Sequence, residues 1–255
     1  MFDTHAHFLC YKEDEIDDII NEMPENNLDY IVNIATTIDE AKKSIELANK
    51  YDRVYTAIGL YPEYSLDVTD EDLIQLEELA KNEKVVAIGE IGLDYHSEEY
   101  DKESQKKIFV KQLEIADRLG LPFCIHCRKA VEDLYQILYE NKNLINHSGI
   151  MHCYSEGAEW VQKFLDLGLV ISFSGNITYK KTDKSVLKYI PIDKIVVETD
   201  APYLTPEPFR GKTNYPKFVN LVAKKIAEEL EIDFNEFDKQ VTKTAKSVYF
   251  KIKNK

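Results

Sequence analysis

The chain has 255 residues, with 32 Lys and Arg against 46 Asp and Glu, a formal charge of −14. At 44% hydrophobic and 31% charged it is neither disordered nor of low complexity, and nine Gly with eight Pro exclude a fibrous repeat. The negative balance argues against a protein that grips nucleic acid over a broad basic face, but not against a nuclease whose positive charge comes from bound metal.

Short runs rich in Val and Ile alternate with longer amphipathic, charged segments. Strands are predicted at 1–7, 30–35, 54–60, 85–91, 122–126, 149–154, 169–173 and 194–200. Their spacing of roughly 20 to 37 residues is that of βα units, and the intervening segments read as helices. Two of these are well marked: 101–119 runs into Gly120 and 158–167 into Gly168, both good helix stops. Two further helical stretches, 215–230 and 234–251, follow the last strand. Eight such units in about 250 residues predict an α/β fold, the (β/α)8 TIM barrel. A doubly wound open sheet is the rival, but no Gly-rich phosphate fingerprint opens a helix. No linker, charge block or repeat interrupts the chain, so 1–255 reads as a single domain.

The cysteines, Cys10, Cys124, Cys127 and Cys153, are too few for a disulfide scaffold, and the N-terminus has no signal-peptide pattern. Apolar runs stay far below the roughly 20 residues of a membrane span. The expectation is a reduced, soluble, cytoplasmic protein with no membrane segment; no obligate protein partner is inferred. The Cys124/Cys127 pair brackets His126 inside a strand-like run, so buried thiols are expected rather than a redox centre.

In a barrel, function gathers where strands end. The first run ends in His5-Ala6-His7, and alternate strand residues point the same way, so both imidazoles face one centre. The fourth run carries Glu90, the fifth ends at His126, the sixth contains His152 and the eighth ends at Asp200. Four of the six histidines thus join two carboxylates at one mouth, while His96 and His147 lie in loop-like sequence. Taken singly, a histidine ending a strand is most often structural and a carboxylate is a helix cap. Six buried titratable groups together would carry a heavy desolvation cost that a divalent cation relieves. Six ligands exceed the needs of one tetrahedral ion and suffice for two if a carboxylate bridges, and Glu90 is the natural bridge. Imidazoles suit zinc, manganese, iron or cobalt, whereas carboxylate and water suit magnesium.

These stretches resemble the TatD family of metal-dependent deoxyribonucleases, among the amidohydrolase-like barrels. The resemblance is carried by Asp3-Thr4-His5-Ala6-His7, Gly89-Glu90-Ile91-Gly92-Leu93-Asp94-Tyr95 and Ile125-His126-Cys127-Arg128. It continues through His152-Cys153-Tyr154-Ser155, Glu198-Thr199-Asp200-Ala201-Pro202-Tyr203-Leu204-Thr205-Pro206 and Arg210-Gly211-Lys212. It spans essentially the whole chain and implies a barrel that hydrolyses DNA phosphodiesters with two divalent ions (zinc, magnesium or manganese). It also implies one ion on His5, His7, Glu90 and Asp200, a second on Glu90, His126 and His152, and Asp200 as the base that orients or deprotonates water. Arg210, in a Pro-flanked loop, would clasp phosphate. Asp94 is left with three roles: holding a ligand histidine, lining the substrate cleft, or capping a turn.

Two positions depart from the family pattern. Tyr61 precedes Pro62 where the family has a histidine expected near the scissile phosphate, and it donates a hydrogen bond without carrying positive charge. Glu156 follows Ser155 where Gly is usual, placing an anion near the mouth or at the start of the next helix. The primary expectation is therefore a nuclease acting on DNA as a single strand or strand end. The alternative is a small-molecule hydrolase of amides, lactones or phosphoesters using the same dinuclear site.

Overall fold

The structure is a computed structural model that describes residues 1–96 and 100–252. Ser97, read from sequence as part of a loop with His96, lies outside the described residues. Eight parallel strands form one sheet in sequential order: β1 (Phe2–Ala6), β2 (Tyr30–Ala35), β3 (Val54–Ile58), β4 (Val85–Asp94), β5 (Phe123–Arg128), β6 (Gly149–Met151), β7 (Val170–Phe173) and β8 (Ile195–Val197). Closure comes beyond the end of β8. The Asp200 N–H donates to the His5 carbonyl at 2.9 Å and the His7 N–H to the Ala201 carbonyl at 2.7 Å, with a parallel bridge between Ala6 and Ala201. Buried Asp3 reinforces this seam by accepting from the Thr199 N–H at 2.9 Å and hydroxyl at 2.6 Å. The result is a (β/α)8 TIM barrel.

The helices are α1 (Glu13–Glu22), α2 (Ile38–Lys50), α3 (Asp70–Leu79), α4 (Lys102–Leu119), α5 (Val131–Glu140), α6 (Ala158–Asp166), α7 (Val219–Glu229) and α8 (Phe234–Val248). Local chemistry sets their ends. The Asp101 carboxylate caps α4 by accepting from the Ser104 N–H, and Gly120 stops it with φ +63°, the left-handed conformation glycine adopts without a Cβ penalty. The expected helix between β7 and β8 is absent among the described residues; three short 3-10 turns replace it. Gly175 and Pro191 flank a segment whose first half, with Asn176, Thr178, Tyr179, Thr182 and Asp183, favours turns or strands over helix. A Cβ at Gly175 would sit 1.8 Å from the Leu204 carbonyl, so this turn packs directly on the loop after β8.

Apolar residues near the strand starts, among them Phe2, Val32, Val86, Ile150, Val170 and Val196, cluster with Val248 and Tyr249 at the end of α8. The Tyr249 hydroxyl donates to the Thr4 carbonyl at 3.2 Å. The C-terminal helix thus seals the floor of the barrel, and the polar strand ends are left to form the mouth. The larger apolar cluster packs the helices against the outside of the sheet.

Candidate metal centre

All six residues singled out at the strand ends meet in one cluster; five of them line a cavity at the mouth, and His5 lies fully buried against them. His5 lies on β1, with His7 directly after it, and their Nε2 atoms are 3.2 Å apart. Glu90 lies within β4 and His126 within β5, while His152 follows β6 by one residue and Asp200 follows β8 by three. Asp200 adopts φ +55°, a conformation unusual outside glycine that aspartate tolerates better than most. Two close approaches keep the strands in place around Glu90. A Cβ at Gly89 would lie 2.6 Å from the Cys124 Cβ, and one at Gly92 (φ +140°) would lie 2.0 Å from the His126 carbonyl oxygen.

Glu90 occupies the middle of the cluster. Its Oε2 stands 3.5 Å from His5 Nε2 and 3.9 Å from His7 Nε2; its Oε1 stands 2.8 Å from His126 Nδ1 and 3.6 Å from His152 Nε2. Asp200 Oδ1 completes the first side, 3.6 Å from His5 Nε2 and 3.4 Å from His7 Nε2. One carboxylate thus has a different pair of imidazoles at each oxygen. Burial disfavours the charge on Glu90, yet His152, His126 and His5 outweigh it and hold the group well below the usual carboxylate range.

Outer carboxylates fix which nitrogen each histidine turns inward. His126 Nε2 lies 2.9 Å from Asp94 Oδ2, so Nδ1 is the nitrogen that faces Glu90. Asp94 also accepts from the Tyr61 hydroxyl at 3.2 Å and the His96 N–H at 2.8 Å. Of the three roles open to it, Asp94 is placed to hold the histidine. His152 repeats the pattern: its Nδ1 lies 2.7 Å from Glu198 Oε1 and its Nε2 faces Glu90. Glu198 is fully buried and accepts from the Ser172 and Ser174 hydroxyls and the Cys153 N–H. Burial opposes charge at both members of this pair, but mutual attraction prevails, pushing His152 up to about 10 and Glu198 down to about 2.

This donor set fits divalent cations. His5, His7 and Asp200 converge within 4.8 Å of one another, as do His5, Glu90 and His152. The inward nitrogens of His126 and His152 meet Glu90 as protonated donors, and a divalent cation bound there would take the place of those protons on neutral imidazoles. Histidines backed by outer carboxylates are the usual support of a metal site.

The cavity has a volume of about 480 Å³, and Cys10, Thr36, Glu40, Tyr61, Glu63, Tyr64, Arg128 and Tyr203 join the cluster as its walls. Tyr61 therefore lies at the site; burial and the neighbouring Glu90 and Asp94 carboxylates push its phenol up, keeping it protonated. Arg210 does not line this cavity; its guanidinium stacks on the Tyr179 ring at 4.2 Å. Glu156 turns away as well, lining a neighbouring cleft beside Tyr154 and Phe173 and bonding Cys127, whose thiol burial pushes up. Sequence reasoning missed two residues, Glu198 and Arg128. The alternation His126-Cys127-Arg128 was the signal for Arg128, because residues two apart on a strand share a face; Glu198 lies past the end of β8, and no such alternation marks it.

An eight-stranded parallel barrel with four histidines and two carboxylates at its mouth defines a hydrolase of the metal-dependent barrel class. The chain matches the family described as TatD related DNase over residues 2–250, and it belongs to that family as a metal-dependent hydrolase. It is 40% identical to the uncharacterized metal-dependent hydrolase YabD of Bacillus subtilis, with 98% of each chain covered. It is 35% identical to YcfH of Escherichia coli, described in the same words, over 89% of this chain and 87% of that one. The crystal structure of YJJV, a TatD homolog from Escherichia coli K12, superposes with a TM-score of 0.91 at 27% identity, covering 97% of each chain. No helix among the described residues is long and apolar enough to cross a membrane.

Proposed function

We propose that the chain hydrolyses DNA phosphodiester bonds, taking a single strand or strand end, with one divalent ion on each side of Glu90. The observation that carries this reading is the division of one buried carboxylate between two sets of imidazoles, Oε2 toward His5 and His7 and Oε1 toward His126 and His152. His5, His7, Asp200 and Glu90 would hold one ion, and His126, His152 and Glu90 the other. When bound, such ions polarise a phosphoryl oxygen and bring the pKa of a coordinated water near neutrality. The protein's own work is positional. Asp94 and Glu198 keep the two outer histidines turned inward, and Asp200, at the cavity wall, is the carboxylate placed to accept the proton of attacking water. Two ions contribute +4 against −2 from Glu90 and Asp200, so a loaded site is a positive well in a protein of charge −14.

One observation favours the small-molecule alternative. Tyr61 is neutral, and the walls carry Glu40 and Glu63, so the mouth is less cationic than a long polyanion would require. Cleavage of end-labelled single- and double-stranded DNA decides between the readings, using metal-stripped protein resupplied with magnesium, manganese or zinc, beside Asp200→Ala. Metal-restored cleavage that disappears in the variant is the expected result. No cleavage by protein that holds two ions overturns the DNA reading in favour of a small ester or amide.

A further inference from the structure

Arg128 is the only lysine or arginine among the described residues that line the metal cavity. It ends β5 two residues after His126, so it projects from the same face of the strand roughly 6.6 Å nearer the rim. Its side chain is exposed, and among the described residues its guanidinium makes no hydrogen bond or ion pair. The β2–β3 side of the mouth has the opposite charge. There Glu40 is held by the Thr36 N–H at 2.9 Å and hydroxyl at 2.7 Å, and exposed Glu63 follows β3.

We infer that Arg128 binds the phosphate flanking the scissile one on the β5 side, while Glu40 and Glu63 reject a flanking phosphate on the β2–β3 side. The inference rests on the DNA reading and adds a phosphate subsite to it. The scissile phosphate belongs at the floor, where Glu90 and Asp200 define the metal positions. A guanidinium one strand repeat above His126 stands over that floor and meets the next phosphate along the strand. Its planar fork suits two phosphate oxygens at once, a geometry that a lysine ammonium does not reproduce. Carboxylates at the other side repel a phosphate there, and no second lysine or arginine among the described residues lines the cavity to compete for it.

The test uses manganese-loaded protein and a labelled tetranucleotide whose three links are uncleavable, charged methylene-phosphonates, the central one at the scissile position, read by fluorescence anisotropy over a range of salt. Companion probes carry a neutral methylphosphonate at one flanking link or the other. Wild-type binding should weaken about tenfold when one particular flank is neutral and not when the other is. Arg128→Gln should lose that discrimination and lower the salt slope by about 0.7, one single-strand phosphate contact. Arg128→Lys should recover the slope but only part of the affinity, and Glu63→Gln should tighten binding of the fully charged probe. Circular dichroism and manganese content check that each variant is folded and loaded. The subsite is overturned if Arg128→Gln keeps the wild-type discrimination and slope, or if neither neutral link affects the wild type. Cleavage of the native tetranucleotide, measured in parallel, separates the two claims. Arg128-dependent binding without cleavage leaves the subsite standing and sinks the hydrolysis reading; cleavage with binding indifferent to Arg128 does the reverse. Neither binding nor cleavage sinks both.

Discussion

Glu198 Oε1 lies 2.7 Å from His152 Nδ1, and neither side chain has appreciable contact with solvent. The carboxylate fixes the imidazole with Nε2 turned toward Glu90, and it is itself held by two serine hydroxyls and a backbone N–H. Glu198→Gln keeps the shape but removes the charge that orients and strengthens His152 as a ligand. Its affinity for one of two divalent ions should fall by about 10- to 100-fold, as measured by calorimetric titration of metal-free protein. Unchanged affinity would show that Glu198 serves only to pack the barrel.

Among the described residues, Glu90 is the carboxylate with one oxygen toward each imidazole pair. Glu90→Ala should therefore lower metal content more than any single histidine-to-alanine change. Elemental analysis of the purified variants reads this directly, and equal retention of two ions in Glu90→Ala and His152→Ala would remove Glu90 as the bridge.

The Tyr61 hydroxyl lies 3.2 Å from Asp94 Oδ2 and 3.1 Å from His126 Nε2, and its ring meets the His126 ring edge-on at 4.9 Å. Asp94 is the anchor in this group and Tyr61 its second donor. Asp94→Ala should cost about 10- to 100-fold in affinity for the ion at His126. Tyr61→Phe keeps the ring and should cost only about threefold. A Tyr61→Phe loss as large as that of Asp94→Ala would make the phenol, not the carboxylate, the principal support of His126.

Most of this architecture was legible because its signals are periodic. The strand runs show as apolar stretches, and the site shows as titratable residues that end them. What escaped lay where one signal hid another. β4 runs to Asp94, three residues past the apolar run that ends at Ile91, so the apolar pattern alone does not single out the pairing of Asp94 with His126. Asp200 ends its apolar run and reads as a ligand, whereas Glu198 lies inside the run and backs His152 through a contact that no local pattern marks. Arg210 drew attention from Arg128 because a Pro-flanked loop suggests a ligand clamp, whereas its contact with Tyr179 is a tertiary fact no local pattern encodes. The 3-10 turns before β8 likewise answer to the close packing of Gly175 against Leu204.

Gly92 tests how tightly the β4–β5 contact is drawn. Its φ of +140° is one that L side chains rarely adopt, and a Cβ there would lie 2.0 Å from the His126 carbonyl oxygen. Gly92→Ala must displace the backbone that carries His126, and it should cost on the order of 3 kcal/mol or more in unfolding free energy. Denaturant titration checks this; a cost below about 1 kcal/mol would mean that β5 moves freely at His126.

The last prediction concerns Asp133 on α5, away from the metal cluster. Its carboxylate lies 2.9 Å from Lys102 Nζ and 3.1 Å from Lys106 Nζ and accepts from the Tyr95 hydroxyl at 2.9 Å, tying α5 to α4 and to the residue that follows β4. The Lys102 contact, with Lys106 and Tyr95 against a small burial penalty, lowers its pKa to about 2. A carboxylate depressed in the folded state binds fewer protons there than in the unfolded chain, so its stabilisation is complete above the unfolded value near 3.9 and disappears as pH falls through about 2. The group is partly exposed and its charges are screened, so Asp133→Asn should cost no more than about 1 kcal/mol at pH 7. The gap between wild type and variant in urea midpoints should hold from pH 7 to about 5 and narrow steadily toward pH 2. A gap that stays constant down to the lowest pH at which the protein folds would show that the interaction is packing and hydrogen bonding, not charge.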